Sequence, residues 1–132
     1  MALTKGKSVG SVVLILDILA AALLGAGCSK SSQSSVSAVP VEQAPAAIET
    51  AFRDAPTEVK QQATEAVTAL QSQNDSAAFV QLQNLSGRSD LTAEQRKAAV
   101  ASWMAVNARL QQSAANGNNA AQELLEKYKA TK

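Results

Sequence analysis

The feature that most restricts the fold is the spacing of apolar residues in the part of the chain after residue 45. Apolar side chains recur at intervals of three and four, which places them on one side of an α-helix. The clearest stripe is formed by Val59, Ala63, Ala66, Val67 and Leu70. Helix formers such as Ala and Gln dominate this region, and no segment alternates apolar and polar residues as a half-buried strand would. The sequence therefore predicts an all-α fold.

Turn and capping residues divide residues 45–132 into about four to five helices, which we expect to form one small helical-hairpin bundle. The first helix is predicted from Pro45 to about Asp54. The second takes Asp54 as its N-cap, has Pro56 in its first turn and ends near Gln73. The third begins after Asn74-Asp75-Ser76 and ends at Gly87, a typical C′ glycine.

The fourth predicted helix begins with a capping box formed by Thr92 and Gln95, and it extends to about Ala115. We expect it to bury Val100, Trp103, Met104 and Leu110. The polar segment 116–119 ends this helix and caps the fifth, which presents Ala121, Leu124, Leu125 and Tyr128. Lysines in its last turn interact favourably with the helix dipole.

A weak internal repeat accompanies this pattern at an offset of 43 residues. Asp75, Ala77, Ala78 and Leu82 match Asn118, Ala120, Ala121 and Leu125. Paired helices of this kind faintly resemble tetratricopeptide-type hairpins, although two units are fewer than a stable solenoid needs. Chance similarity in a chain rich in Ala and Gln is the simpler interpretation.

The first 27 residues have the layout of a secretory signal. Lys5 and Lys7 precede an apolar run, residues 9–27, that ends in small residues. The run is long enough to span a bilayer, so a retained membrane helix is the alternative. Asp17 lies near its middle, where a permanent charge costs about 2.5–3.5 kcal/mol. Because a cleaved segment bears this cost only in transit, we expect cleavage.

The sequence Leu23-Leu24-Gly25-Ala26-Gly27-Cys28 resembles the lipobox of bacterial lipoproteins. In that family a diacylglycerol is attached to the cysteine thiol, and the amine that cleavage frees is acylated, for example with palmitate. The resemblance implies cleavage between Gly27 and Cys28 and a membrane anchor through lipid on Cys28. Ser29 resembles the residue found at this place in outer-membrane members, so we expect an outer-membrane protein that faces the periplasm.

Residues 28–44 are predicted to form a flexible tether that begins at the lipidated cysteine. Its serines, its lack of a helical period and its low bulk are typical of a linker. Random-coil scaling gives an end-to-end distance of roughly 20–25 Å for about sixteen such residues. The expected organisation is therefore a signal peptide at 1–27, a tether at 28–44 and a helical domain at 45–132.

Few residues in this chain are suited to catalysis. It has no histidine and one cysteine, which excludes the usual general base and cysteine-based zinc sites. The carboxylate pairs Asp54/Glu58 and Asp90/Glu94 lie at predicted helix starts, where the helix dipole explains them. We therefore expect no catalytic residues, no metal site, no cofactor and no enzymatic activity.

The charge balance and the apolar residues leave two functional hypotheses. Removal of residues 1–27 takes two of the 12 basic residues and one of the 11 acidic residues, which leaves ten of each. Because a neutral chain has no net attraction to phosphates, no nucleic-acid partner is expected. The first hypothesis is a helical interaction domain that binds a protein partner or itself. The alternative is a carrier or receptor for a small apolar ligand that binds in a groove between helices. A closed cavity lined by Phe79, Trp103 and Tyr128 would favour this alternative, although we expect these aromatic residues to pack in the core.

Overall fold

Five α-helices follow one another along residues 36–131, the residues that the computed structural model describes. They are α1 (Ala44–Ala51), α2 (Thr57–Gln71), α3 (Asp75–Ser86), α4 (Ala93–Ala115) and α5 (Asn119–Ala130). A single 3₁₀ turn, Val41–Gln43, leads into α1. No strand occurs between residues 36 and 131, so the prediction of an all-α fold is confirmed. None of the described helices combines the length and apolarity needed to cross a bilayer.

The start of α2 differs from the prediction. Pro56, and not Asp54, is the N-cap, with φ −53° and an extended ψ of 151°, and the helix begins at Thr57. Proline disfavours helical backbone at the residue that precedes it, so the chain cannot be helical from Asp54 onward. Asp54 consequently lies in the turn between α1 and α2, and α1 ends at Ala51, three residues earlier than expected.

The C-terminal ends of α2 and α3 also differ from expectation. Gln73 has a φ of 55°, a left-handed conformation that ends α2 at Gln71. Gly87 follows α3 as expected. Its φ is −77°, however, so it does not have the left-handed backbone that is typical of a C′ glycine. Left-handed backbone occurs instead at Gly117, where a φ of 90° turns the chain from α4 into α5.

Side-chain caps fix the starts of the last three helices. Asn74 Oδ1 accepts a hydrogen bond from the Ala77 amide at 3.1 Å, and Asn118 Oδ1 accepts one from Ala121 at 3.1 Å. The predicted capping box is present at α4, because Thr92 and Gln95 each bond the other's backbone amide. The two asparagine caps are 44 residues apart, so an internal repeat with an offset of 43 residues does not align them. The repeat remains a hypothesis.

The core lies between α4 and the helices that pack on it. α4 contacts α1, α3 and α5, and α2 packs against α1 and α3. The largest fully buried side chains are those of Phe52, Phe79, Ile48, Leu82, Leu85 and Leu110. Alanine is the commonest buried residue, and its small side chain lets these helices approach closely.

One prediction for the buried face of α4 is partly wrong. Leu110 is buried and Trp103 packs against the core, but Val100 and Met104 are only half-buried and lie outside the core cluster. The stripe that faces the core consists of Leu110 and of the smaller residues Ala99, Ser102 and Val106. Because α4 is rich in alanine, its largest apolar residues do not mark its buried side.

Candidate functional site

The residues for which lipidation and cleavage are predicted, Cys28 and Gly27, lie outside the described part of the chain. Both therefore stay predictions. The same holds for the signal peptide at residues 1–27 and for most of the tether.

Arg88 links α2 to the segment that precedes α4. Its guanidinium donates to both carboxylate oxygens of Asp90, at 2.9 and 2.7 Å, and to Glu58 Oε1 at 2.9 Å. A further bond reaches Gln62 Oε1 at 3.2 Å. The hydrogen bonds from Arg88 hold the pKa of Asp90 below its usual value, and the same pairing raises the pKa of Arg88.

Two of the four carboxylates that the sequence analysis considered are paired with Arg88. Asp90 and Glu58 are occupied by Arg88, Glu94 lies in the first turn of α4, and Asp54 lies in a turn. Sequence reasoning missed the Arg88 bridge because its partners are 30 residues away on α2 and two residues away in a loop. Among the described residues, no group of three or more His, Cys, Asp or Glu side chains could hold a metal ion.

A second ion pair joins α3 to α4. The guanidinium of Arg109 donates from Nε to Asp75 Oδ2 at 2.8 Å, and its NH2 group pairs with the other carboxylate oxygen. Asp75 is the first residue of α3, so its charge also interacts favourably with the dipole of that helix. Both groups are about one quarter to one third exposed. Their arrangement serves the packing of two helices and leaves neither group free for chemistry.

Three aromatic rings form a cluster where α3, α4 and α5 meet. The ring centroid of Phe79 lies 5.5 Å from that of Trp103 and 5.1 Å from that of Tyr128, and the last two are 5.9 Å apart. Rings at these distances are in direct contact. The rings pack against one another, as expected of core residues, and so this geometry does not favour the carrier hypothesis.

A narrow apolar groove opens between α1 and α2, and we call it the α1–α2 groove. Its volume is about 240 Å³. The floor is apolar and the rim is polar. Ile48, Phe52, Ala63 and Val67 form the floor, and Glu49, Arg53, Lys60 and Thr64 form the rim.

The rim of the α1–α2 groove carries two cations that form no ion pair with any carboxylate in residues 36–131. Lys60 Nζ donates to the carbonyl oxygen of Arg53 at 2.9 Å, so its side chain reaches from α2 toward the end of α1. Glu49, the acidic residue of the rim, accepts a hydrogen bond from Gln71 Nε2 at 3.5 Å. The rim therefore has a net positive charge above an apolar floor.

A wider and shallower surface lies between the 3₁₀ turn, α1 and α4. Its apolar part consists of small side chains, including Val39, Ala47 and Ala98, and its volume is about 810 Å³. Glu42, Glu94 and Lys97 border it, so its charges are mixed. Such a surface offers no deep pocket for an anchoring side chain and no charge of one sign.

Comparison of the chain with protein-family models, with curated proteins and with solved structures finds no significant match. The functional interpretation consequently depends on the leader sequence and on the geometry of the helical domain.

Proposed function

We propose that this protein is a bacterial envelope lipoprotein that is anchored in the membrane through Cys28 and carries a non-enzymatic helical domain for interaction with a protein partner. The observation that carries the proposal is the lipobox-like end of the leader, where small residues precede the one cysteine of the chain. The anchor is placed in the outer membrane with the domain in the periplasm, on the basis of Ser29.

The chemistry of the cysteine supports this assignment. A lone free thiol is a liability in an oxidising compartment, and conversion to a thioether removes it. Each buried methylene of an attached acyl chain contributes about 0.8 kcal/mol, so two or more chains hold a protein on a bilayer stably. A lipid on Cys28 thus supplies the hold that no described helix could provide.

The helical domain supports an interaction role better than a catalytic one. Arg88 engages Glu58 on α2 and Asp90 before α4, and Arg109 engages Asp75 on α3, so these carboxylates join neighbouring elements. What the domain offers to other molecules is the α1–α2 groove, with its apolar floor and unpaired cations. These are features of a binding surface.

The anchor is tested by the intact mass of the protein extracted from the membranes of the cells that express it. We expect a chain that begins at Cys28 and bears a diacylglycerol and an amide-linked acyl group. The Cys28→Ser variant should accumulate as the unprocessed precursor, and Ser31→Ala, in the tether, should be processed as the wild type is. A mass that includes residues 1–27 and no lipid would overturn the assignment.

The interaction role is tested by cross-linking in intact cells. A photo-reactive amino acid at an exposed rim position of the groove should give a defined protein adduct. Recovery of the monomer alone, from every exposed position tried on α1, α2 and α4, would contradict a protein partner.

A further inference from the structure

We propose that the α1–α2 groove is a docking site for an acidic segment of a protein partner, and that it takes one large apolar side chain of that segment. This inference rests on the proposed interaction role and specifies the site and the chemistry of the partner.

The volume of the groove decides between a small-molecule ligand and a single side chain. Pockets that enclose small-molecule ligands usually measure about 300–1,000 Å³. The α1–α2 groove, at about 240 Å³, is smaller than that range. A recess of this volume accommodates one large side chain of a protein partner, and such anchors contribute much of the binding energy at protein interfaces.

The floor selects an apolar side chain. Ile48, Phe52 and Val67 present only carbon atoms along the base, so a polar group placed there would lose its hydrogen bonds to water without replacement. Ala63 lies between them on α2 and leaves the space that a larger residue would fill. An aliphatic or aromatic side chain matches this floor.

The rim selects an acidic neighbour for that side chain. Arg53 and Lys60 stand beside the mouth without a carboxylate partner in the described part of the chain. Lys60 uses one of its three N–H donors on the Arg53 carbonyl, so two remain for an incoming carboxylate. Glu49 disfavours an acidic partner, but it accepts a hydrogen bond from Gln71 and stands against two cations, so the net charge of the rim remains positive. The complementary segment is therefore an apolar residue flanked by Asp or Glu.

The other surfaces fit a partner less well. The shallow surface between α1 and α4 has mixed charges, and it lacks a pocket of side-chain size. Val80, an exposed apolar residue on α3, lies beside a smaller recess bordered by Tyr128, and Lys127 alone gives it a charge. The α1–α2 groove combines an apolar floor with two unpaired cations.

The test uses the full-length chain in detergent and a phage library of random peptides. Enriched peptides should contain Asp or Glu next to Leu, Ile, Met or Phe, and the most enriched peptide, labelled with a fluorophore, serves as the probe in an anisotropy titration. Arg53→Ala combined with Lys60→Ala should weaken its binding about two- to thirtyfold, the effect expected when two exposed charge pairs are lost. Arg96→Ala combined with Lys97→Ala, on α4, is the matched charge control.

A second pair of variants tests the floor without removing a charge. Thr64→Trp places a large ring over the mouth of the groove at an exposed position of α2, and binding of the peptide should be lost. Thr68→Trp makes the same change one turn later on α2, outside the groove, and should leave binding unchanged. Far-UV circular dichroism verifies that all variants are helical.

Three outcomes would overturn the docking site. They are the enrichment of no peptide, the enrichment of peptides without acidic residues, and binding that Thr64→Trp leaves unaffected. A membrane role for the two cations is tested by sedimentation of the protein with vesicles of phosphatidylglycerol. If the Arg53 and Lys60 substitutions abolish this sedimentation but leave peptide binding unchanged, the cations bind a membrane surface instead. Each of these results would leave the anchor at Cys28 standing, because the mass measurement tests it separately.

Discussion

At the scale of single residues, Arg88 has the largest number of polar contacts between elements. One guanidinium joins Glu58 and Gln62 of α2 to Asp90, just before α4. The two donors aimed at Asp90 form a bidentate pair, the geometry in which an arginine–carboxylate contact is strongest. The bridge fixes how the turn after α3 enters α4, although its acidic partners remain largely exposed.

The depressed pKa of Asp90 predicts a pH dependence of stability. A carboxylate whose pKa is lower in the folded state stabilises the fold above its unfolded pKa, near 3.8, and this contribution is lost as the pH falls through the folded value. Asp90→Asn should therefore lower the melting temperature at pH 7. As the pH falls from about 3.8 toward the lower pKa of folded Asp90, the two melting temperatures should approach each other, since Asp90 then loses its charge in the folded state as well.

Thermal denaturation followed by circular dichroism between pH 2.5 and pH 7 measures this difference. Glu126→Gln, which alters an exposed pair within the last turns of α5, is the control and should change the melting temperature little at any pH. A difference between wild type and Asp90→Asn that stays constant across the whole range would show that the charge of Asp90 is not responsible.

Leu82 provides a prediction about the core. Its side chain is fully buried in α3, and truncation to alanine leaves a cavity among well-packed neighbours. We expect Leu82→Ala to lower the free energy of unfolding by about 2–5 kcal/mol, as measured by urea denaturation. Val80→Ala, on the same helix but 42% exposed, should change it by less than about 1 kcal/mol. Equal effects of the two substitutions would contradict the assigned orientation of α3.

At the scale of helices, the capping box of α4 holds the start of the longest helix. Thr92 Oγ1 accepts from the Gln95 amide at 3.2 Å, and Gln95 Oε1 accepts from the Thr92 amide at 3.0 Å. Thr92→Ala should lower the free energy of unfolding by about 0.5–2 kcal/mol. Thr57→Ala is the control, because Pro56 precedes it as the N-cap of α2 without a side-chain cap bond. Urea denaturation of both variants should show a clear loss for Thr92→Ala only.

The last helix, α5, is the least firmly held of the five. Ala121 is its one buried residue in the described part, and Leu124, Leu125 and Tyr128 are half-buried. Its packing is chiefly against α4. Elements with few buried contacts open locally at low free energy, so amides of α5 should exchange with deuterium faster than those of α3 or α4.

The Asn118→Ala substitution tests whether α5 opens locally. Removal of the cap at the Ala121 amide should accelerate exchange within α5 and leave the exchange of α2 unchanged. Hydrogen–deuterium exchange with mass spectrometry resolves the two helices. Protection of α5 equal to that of α4 would mean that α5 unfolds only together with the whole domain.

The sequence predicts where the helices begin and end better than it predicts which residues of different helices contact one another. The caps at Asn74, Thr92 and Asn118 are local hydrogen bonds, so short residue patterns are sufficient to identify them. The buried face of α4 could not be read from Val100 and Met104, because small residues face the core. The α1–α2 groove and the Arg88 bridge join residues of separate elements, and a single sequence does not indicate such contacts.

At the scale of the molecule, the core is thin for the number of helices that it joins. Alanine fills many of its contacts, and the larger side chains come from several elements: Ile48 and Phe52 from α1 and its C-cap, Phe79 from α3 and Leu110 from α4. Because no two helices alone bury these side chains, the helices depend on one another for their stability. Domains of this size usually unfold in a single cooperative step with a net stability of about 5–15 kcal/mol.

The compact unit Gln33–Lys132 is accordingly predicted to fold without the residues that precede it. A protein that begins at residue 33 should give a helical circular dichroism spectrum and one sigmoidal thermal transition. The buried core cluster of the described residues is assembled from side chains between Ala44 and Ala121, all within this unit. Phe52→Ala, which opens a cavity at the end of α1, serves as a control that should lower the transition by several degrees. Two separate transitions, or no transition at all, would show that the five helices do not form one cooperative domain.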